Sequence, residues 1–392
     1  MDRRTFLTAT GAGVLATGCP GLVLARASTD ARLVVVLLRG ALDGLAAVPP
    51  VGDPDYQRQR GPLAIPVSGS AGSALPLNTD FALHPALTGL HAAYKQQQLL
   101  VLHATATAYR ARSHFAGQDW LETAVGDPQD GWLNRALAVL PGAITGEQGI
   151  ALSSRVPLVL RGDTPVTSWA PSRLPEVDAD TLDRIAMLYA DDPVLSVRLA
   201  EARNADQLAG AMDGTGPVFG PQSFARLAEA AGRFLVAPDG PRVAVLETTG
   251  WDTHANQGAA QGQLANRLTG LDQGLSALRS SLGSSWRDTV VVIATEFGRT
   301  VAVNGSRGTD HGTASCALLL GGAVQGGRVL GEWPGLSAGS LYQGRDLRPT
   351  TDLRALLKGV LQEHLLIDDR ALEACVFRDS RQARPLQGLI RV

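Results

Sequence analysis

The chain has 392 residues, of which 45% are hydrophobic and 18% charged. That is enough apolar mass for a large packed core, and it excludes a disordered or fibrous chain. A formal net charge of −2 and a sequence pI ≈ 6.4 exclude nucleic acid as the main partner, because a phosphate backbone selects a basic surface.

The amino terminus reads as an address. Arg3 and Arg4, followed by Thr5, Phe6 and Leu7, form a twin-arginine pattern ahead of a mild apolar stretch, and Ala25-Arg26-Ala27 offers an A-x-A cleavage site. Glycine and threonine interrupt the apolar stretch, which makes it a poor permanent membrane span. The expectation is a twin-arginine signal peptide over residues 1–27, transient contact with the Tat export machinery, and one α/β domain over residues 28–392. That domain would lie in the periplasm or be secreted, with no stable membrane span after cleavage. Ala16-Thr17-Gly18-Cys19 loosely resembles a lipoprotein box, so lipid anchoring at Cys19 is the alternative. The mature chain then keeps Cys316 and Cys375, which form one disulfide if the fold brings them together. No C-x-x-C pair is present, so no thiolate zinc site is expected.

Taken in order, residues 33–38 (LVVVLL) form a buried strand that runs into a glycine-flanked loop carrying Arg39 and Asp43. Residues 48–78 are rich in Pro, Gly and Ser and read as a long irregular segment. His84 and Pro85 open a helix through Gln97, and residues 99–103 make a second strand ending in His103. Ser113 is a natural N-cap for the next helix, with Arg110 and Arg112 just ahead of it. Residues 149–175 read as two short strands and a proline-rich loop, and residues 180–236 as helices broken near Asp213 to Pro221. Residues 242–247 form a strand that ends in Thr248-Thr-Gly-Trp-Asp252-Thr-His254. Leucines at 264, 268, 271, 275, 278 and 282 then mark an amphipathic helix. The apolar run 289–294 is a strand buried on both faces, followed by Glu296, Phe297, Arg299 and a polar loop that ends in Asp310-His311-Gly312. A strand at 317–320 and a capped helix at 351–364 complete the pattern. Strands alternating with helices predict a three-layer α/β/α sandwich with a mostly parallel sheet.

Open α/β sheets bind ligands at the carboxyl ends of their strands. Four strand ends here carry candidate ligands: Asp43, His103, the Asp252/His254 pair, and Glu296 with Asp310 and His311. Carboxylates suit hard divalent cations and imidazoles suit zinc-like ones. Each also has a plain structural reading, since a carboxylate there often caps a helix and a histidine often packs in the core. Ser113 is open in the same way, as an ordinary N-cap or as a nucleophile. A pairing of Ser113 with His114 is not expected, because neighbours at a helix start diverge.

The segments LLRGALDGL, YRARSHFAGQDWLE, GWLNRAL, TTGWDTHANQ, ATEFGRTVAVNG, TDHGTAS and TTDLRALLKGVL together resemble a secreted bacterial family, domain-of-unknown-function family 1501. That family is grouped with the alkaline phosphatase and sulfatase superfamily of metal-dependent hydrolases of phosphate and sulfate esters. The resemblance implies an alkaline-phosphatase-like sandwich with metals at the strand ends. It implies that Asp43 is the first-strand metal aspartate, Ser113 the nucleophile, Asp252 and His254 a ligand pair, and His311 the late histidine ligand. The superfamily usually spaces its Asp and His pair by three intervening residues, unlike Asp252 and His254. It also places consecutive Asp and His where this chain has Glu296 and Phe297, and phenylalanine cannot coordinate. The sulfatase Cys-x-Pro-x-Arg signature is absent, so formylglycine chemistry is not expected.

The expected function is an exported metal-dependent hydrolase of a small anionic phosphate or sulfate ester, with zinc, calcium or magnesium as the divalent ion. Asp43, Asp252, His254, Glu296, Asp310 and His311 would hold the metal, with Ser113 attacking. Arg110 and Arg112, with Arg39 or Arg299, would neutralise the ester. Asp252, His254 and His311 fill one shell, which leaves Asp43, Glu296 and Asp310 as an all-oxygen second set. At most one tightly held transition metal is therefore expected. The alternative is a non-catalytic periplasmic binding or assembly protein on the same fold.

Overall fold

The computed structural model describes residues 30–67, 72–126, 129–141, 148–171, 179–209 and 221–391. The expected signal peptide, Cys19 and the break before Pro221 lie outside the described residues. The strands are β1 (Arg32–Arg39), β2 (Leu75–Pro76), β3 (Ala82–Leu83), β4 (Leu99–Ala106), β5 (Gly149–Ala151), β6 (Thr167–Ser168), β7 (Val243–Thr249), β8 (Thr289–Thr295), β9 (Ser315–Leu320), β10 (Arg328–Leu330) and β11 (Thr351–Asp352). Nine of them form one sheet, ordered β10-β4-β9-β8-β1-β7-β5-β6 with β11 added beside β4. β2 and β3 make a separate antiparallel pair.

The sheet forms where β-branched and leucine-rich runs can be buried on both faces. Along β1, Leu33, Val35 and Leu37 pack on one face, while Val34, Val36 and Leu38 pack on the other. The first face is covered by the helices His114–Thr123, Trp132–Ala138 and Leu353–His364. The second is covered by Thr88–Lys95, Pro221–Val236 and Gln263–Leu282. In Gln263–Leu282 the six leucines at alternating steps of four and three are all buried, each contributing about 1.5–3 kcal/mol. The result is the three-layer α/β/α sandwich with a large, mostly parallel sheet. No helix among the described residues is long and apolar enough to cross a membrane.

Register sets where the loops meet. β1 pairs in parallel with both β7 and β8, with Leu38 level with Thr248 on one side and Thr295 on the other. The three strands therefore end together. β9 runs antiparallel to both β8 and β4, an orientation the sequence pattern did not separate from a parallel one. β4 is consequently parallel to β8, so its carboxyl end and the start of β9 lie at the same edge. Two boundaries move: the helix expected from Pro85 begins at Thr88, and the strand expected to stop at His103 runs on to Ala106. Cys316 is a buried free thiol, so the Cys316–Cys375 disulfide is not formed.

Candidate metal centre

Four loops from that shared edge build one cluster. The β7 loop carries Asp252 and His254, and Trp251, fully buried, pins it by donating Nε1–H to the Thr248 carbonyl at 3.2 Å. The β8 loop carries Glu296, Phe297 and Arg299. The loop ahead of β9 carries Asp310 and His311, and a bridge between Arg299 and His311 ties these two loops. The segment after β4 ends at the helix His114–Thr123, which delivers His114. Two glycines allow the close approach. A side chain on Gly40 (φ +118°) would lie 2.9 Å from the Asp252 backbone nitrogen, and one on Gly117 would lie 2.9 Å from the Phe297 ring.

His114, Asp252 and His311 bring one possible ligand atom each within 4.8 Å of one another, and they are a group that could hold a metal ion. His254 joins them. Its Nε2 lies 3.0 Å from His311 Nε2 and 3.0 Å from Asp252 Oδ1. His114 Nε2 lies 3.4 Å from Asp252 Oδ2 and is buried without a hydrogen-bond partner. The three imidazole nitrogens thus gather on one carboxylate.

The opposite ring nitrogen of each histidine meets an oxygen. His114 Nδ1 is 2.8 Å from Glu296 Oε1, His254 Nδ1 is 3.1 Å from Asp310 Oδ1, and His311 Nδ1 is 2.9 Å from the Arg112 carbonyl. An Nδ1–H donated to an oxygen acceptor fixes the tautomer and leaves the Nε2 lone pair facing inward, the arrangement in which metal-bound histidines are held. His254 Nε2 and His311 Nε2, 3.0 Å apart, are held together either by one shared proton or by a common metal ion.

Electrostatics follow from these contacts. Burial pushes the Asp252 carboxyl up, but the hydrogen bond and charge of Arg299, with His254 and His114, outweigh it and hold the group below the usual carboxylate range. Burial likewise acts on Glu296 and is outweighed by the His114 hydrogen bond and the donors around it, among them Gly40 N–H at 2.8 Å. The Glu296 hydrogen bond raises His114, and burial lowers His311. Arg299, itself fully buried, pairs with Asp252 and donates to Thr309, so it fixes the carboxylate.

Several sequence expectations are placed elsewhere. Asp43 is not in the group. Its carboxylate caps the short helix Gly44–Ala47, and it is taken up by the buried Arg60 and by Gln257 Nε2 at 2.7 Å. Glu296 and Asp310 do not join Asp43 in an oxygen-rich second set, because each is committed to an imidazole. Arg110 donates to the Thr107 and Tyr109 carbonyls, and the Arg112 side chain is paired with Asp346. Arg112 acts through its backbone, whose φ of 61° accompanies the carbonyl contact to His311. Arg39 is paired with Glu122 and Glu247. Ser113 is the exposed N-cap of the helix, and its hydroxyl makes no capping hydrogen bond. His103 is a core residue. Its ring bonds the Val48 carbonyl at 2.9 Å and packs 4.9 Å from Trp333, and burial pushes its pKa down to about 4. Phe297 stands at the cluster, its ring stacked 5.0 Å from His114 and tilted 5.4 Å from His311.

His114 is the residue the sequence reading missed. The available signal was a histidine directly after a helix N-cap, at the end of a strand-to-helix loop facing a strand-end glutamate.

Among solved structures, the chain is similar to the phosphonate monoester hydrolase of Agrobacterium radiobacter (12% identity, TM-score 0.40, covering 86% of this chain and 74% of that one). It is also similar to the C-terminal periplasmic domain of EcEptC from Escherichia coli in complex with Zn (9%, TM-score 0.36, 74% and 73%). A third is the lipoteichoic acid synthase LtaP from Listeria monocytogenes (11%, TM-score 0.39, 89% and 75%). No curated protein matches the chain. The family described as "Protein of unknown function (DUF1501)" matches residues 30–376. The chain belongs to this family.

Proposed function

We propose that the chain is an exported, metal-dependent hydrolase of phosphate or sulfate esters, with residues 1–27 as a twin-arginine leader and the rest as one domain. The observation that carries the reading is the inward convergence of three imidazole Nε2 atoms on Asp252, each ring held from behind by an oxygen acceptor. His114, His254, His311 and Asp252 would hold the ion, and this nitrogen-rich set suits a zinc-like cation better than calcium or magnesium. A divalent ion there supplies charge neutralisation and a lowered pKa for an attacking hydroxyl. Glu296, Asp310 and the Arg112 carbonyl keep the Nε2 lone pairs aimed inward, and Arg299 keeps Asp252 ionised and oriented. Ser113, exposed beside His114, is the proposed nucleophile. Its Oγ bonds to phosphorus or sulfur as the ester oxygen leaves and takes up the hydroxyl proton; water then breaks the new Oγ bond, which releases the inorganic anion and returns a proton to Oγ.

One observation favours a second reading, a non-catalytic metal-binding protein: Arg39, Arg110, Arg112 and Arg299 are all committed to other partners. The two readings separate on p-nitrophenyl phosphate and p-nitrophenyl sulfate. The hydrolase turns over at least one, and Ser113→Ala removes that turnover. Because Ser113 makes no capping hydrogen bond, the variant should stay within about 0.5 kcal/mol of wild-type stability. Full activity in Ser113→Ala would remove the nucleophile assignment, and no turnover of either ester by metal-loaded protein would favour the binding reading. The exported form should begin near Ser28 on N-terminal sequencing.

A further inference from the structure

A cleft of ≈ 410 Å³ opens beside the cluster, on the helix His114–Thr123 that the two share. One end of that helix delivers His114 to the cluster, while Phe115, Gln118 and Asp119 line the cleft. The two spaces are linked through Gln118, whose side-chain amide lies 3.5 Å from Glu296 Oε1, the atom that holds His114. Arg39, at the end of β1, forms part of the wall and is locked by Glu122 and Glu247.

Three features define what the cleft would hold. The Phe115 ring is 87% exposed, a large apolar face left uncovered on an otherwise well-packed helix. The exposed side chains of Arg155 and Arg161 line the same cleft; the latter donates Nε–H to the Val156 carbonyl at 3.0 Å. The carboxylates of Asp119 and Glu247 line the same space. A purely apolar ligand would strip water from these charged groups without replacing their hydrogen bonds. A purely anionic one would meet Asp119 and Glu247. A ring with an apolar C–H face and a belt of hydroxyls satisfies all three: the face covers Phe115, and the hydroxyls donate to carboxylates and accept from guanidinium and amide groups.

We infer that this cleft is a carbohydrate-binding subsite that seats the sugar carrying the ester. The substrate class is accordingly a phosphorylated or sulfated saccharide. The ester-bearing part of the inference rests on the hydrolase reading, whereas the binding part does not. The test therefore measures binding and turnover separately on the full-length mature protein. Maltotetraose, an alginate tetrasaccharide and a chondroitin sulfate tetrasaccharide are titrated by calorimetry into wild type and Phe115→Ala, with metal content and p-nitrophenyl phosphate hydrolysis followed in parallel. At least one saccharide should bind saturably, and Phe115→Ala should weaken it about tenfold. Metal content should stay unchanged. Saccharide binding that depends on Phe115 without ester turnover leaves the subsite standing and removes the hydrolase. Binding by none of the three, or equal binding by both proteins, overturns the inference.

Discussion

Two carboxylates at neighbouring strand ends have opposite surroundings. Asp43, after β1, is 1% exposed and closed in by Arg60, Gln257 and a helix N–H, so its acceptor oxygens are satisfied. Gln257 in turn accepts from Thr253 and Thr309 at 2.8 Å each, which ties the β7 loop and the loop ahead of β9 to the same floor. Asp252, after β7, is half-exposed and faces three imidazole nitrogens, one of them buried without a partner. The first network is finished and holds loops together, while the second presents ligand atoms toward a common point that a cation would complete. A strand-end carboxylate becomes a site when its neighbours leave lone pairs unspent, and position alone does not decide it.

The comparison breaks most visibly at Asp43. Asp43→Ala leaves Arg60 buried and unpaired, so it should cost about 3–5 kcal/mol of stability, read by denaturant unfolding. Metal should still be bound by the remaining folded protein, with an affinity lowered far less than by removal of a ligand. A stable Asp43→Ala variant that has lost its metal would place Asp43 among the ligands after all.

The histidines give the next test. His103 is neutral in the fold with a pKa pushed down to about 4, while the unfolded chain titrates near 6.5. The unfolded state therefore binds more protons below pH 6.5. His103 stability is fully present above that pH and falls away by about 3 kcal/mol as the pH drops toward 4. His103→Gln, which keeps a donor for Val48, should flatten this part of the stability profile relative to wild type. Parallel profiles for the two proteins would contradict a neutral core role.

Glu296→Gln sharpens the contrast on the open side. The amide keeps the shape but weakens the acceptor behind His114, and loss of such a partner typically lowers metal affinity 10–100-fold. Competition with a chelator measures it. An unchanged affinity would mean that His114 needs no orientation from Glu296.

The layers and most strands were legible because β-branched runs and the leucine spacing of Gln263–Leu282 state their burial directly. Asp252, His254 and His311 were legible as a group because acid and imidazole recur at strand ends. The fate of Asp43 was not, since Arg60 reaches it from 17 residues ahead, out of an irregular segment. Nor was the division of labour between binding and orienting. Glu296 and Asp310 are carboxylates at the right place, and only three-dimensional contact shows that each is spent on an Nδ1. His114 escaped for a related reason: a histidine after an N-cap has no periodicity, and its partner lies 182 residues away.

The most direct measurement is elemental analysis of the purified protein beside His114→Ala and His311→Ala. About one equivalent of a zinc-like transition metal per wild-type chain is expected, lost from both variants while their folds persist by circular dichroism. Two tightly held equivalents in wild type, or one retained by both variants, would contradict it.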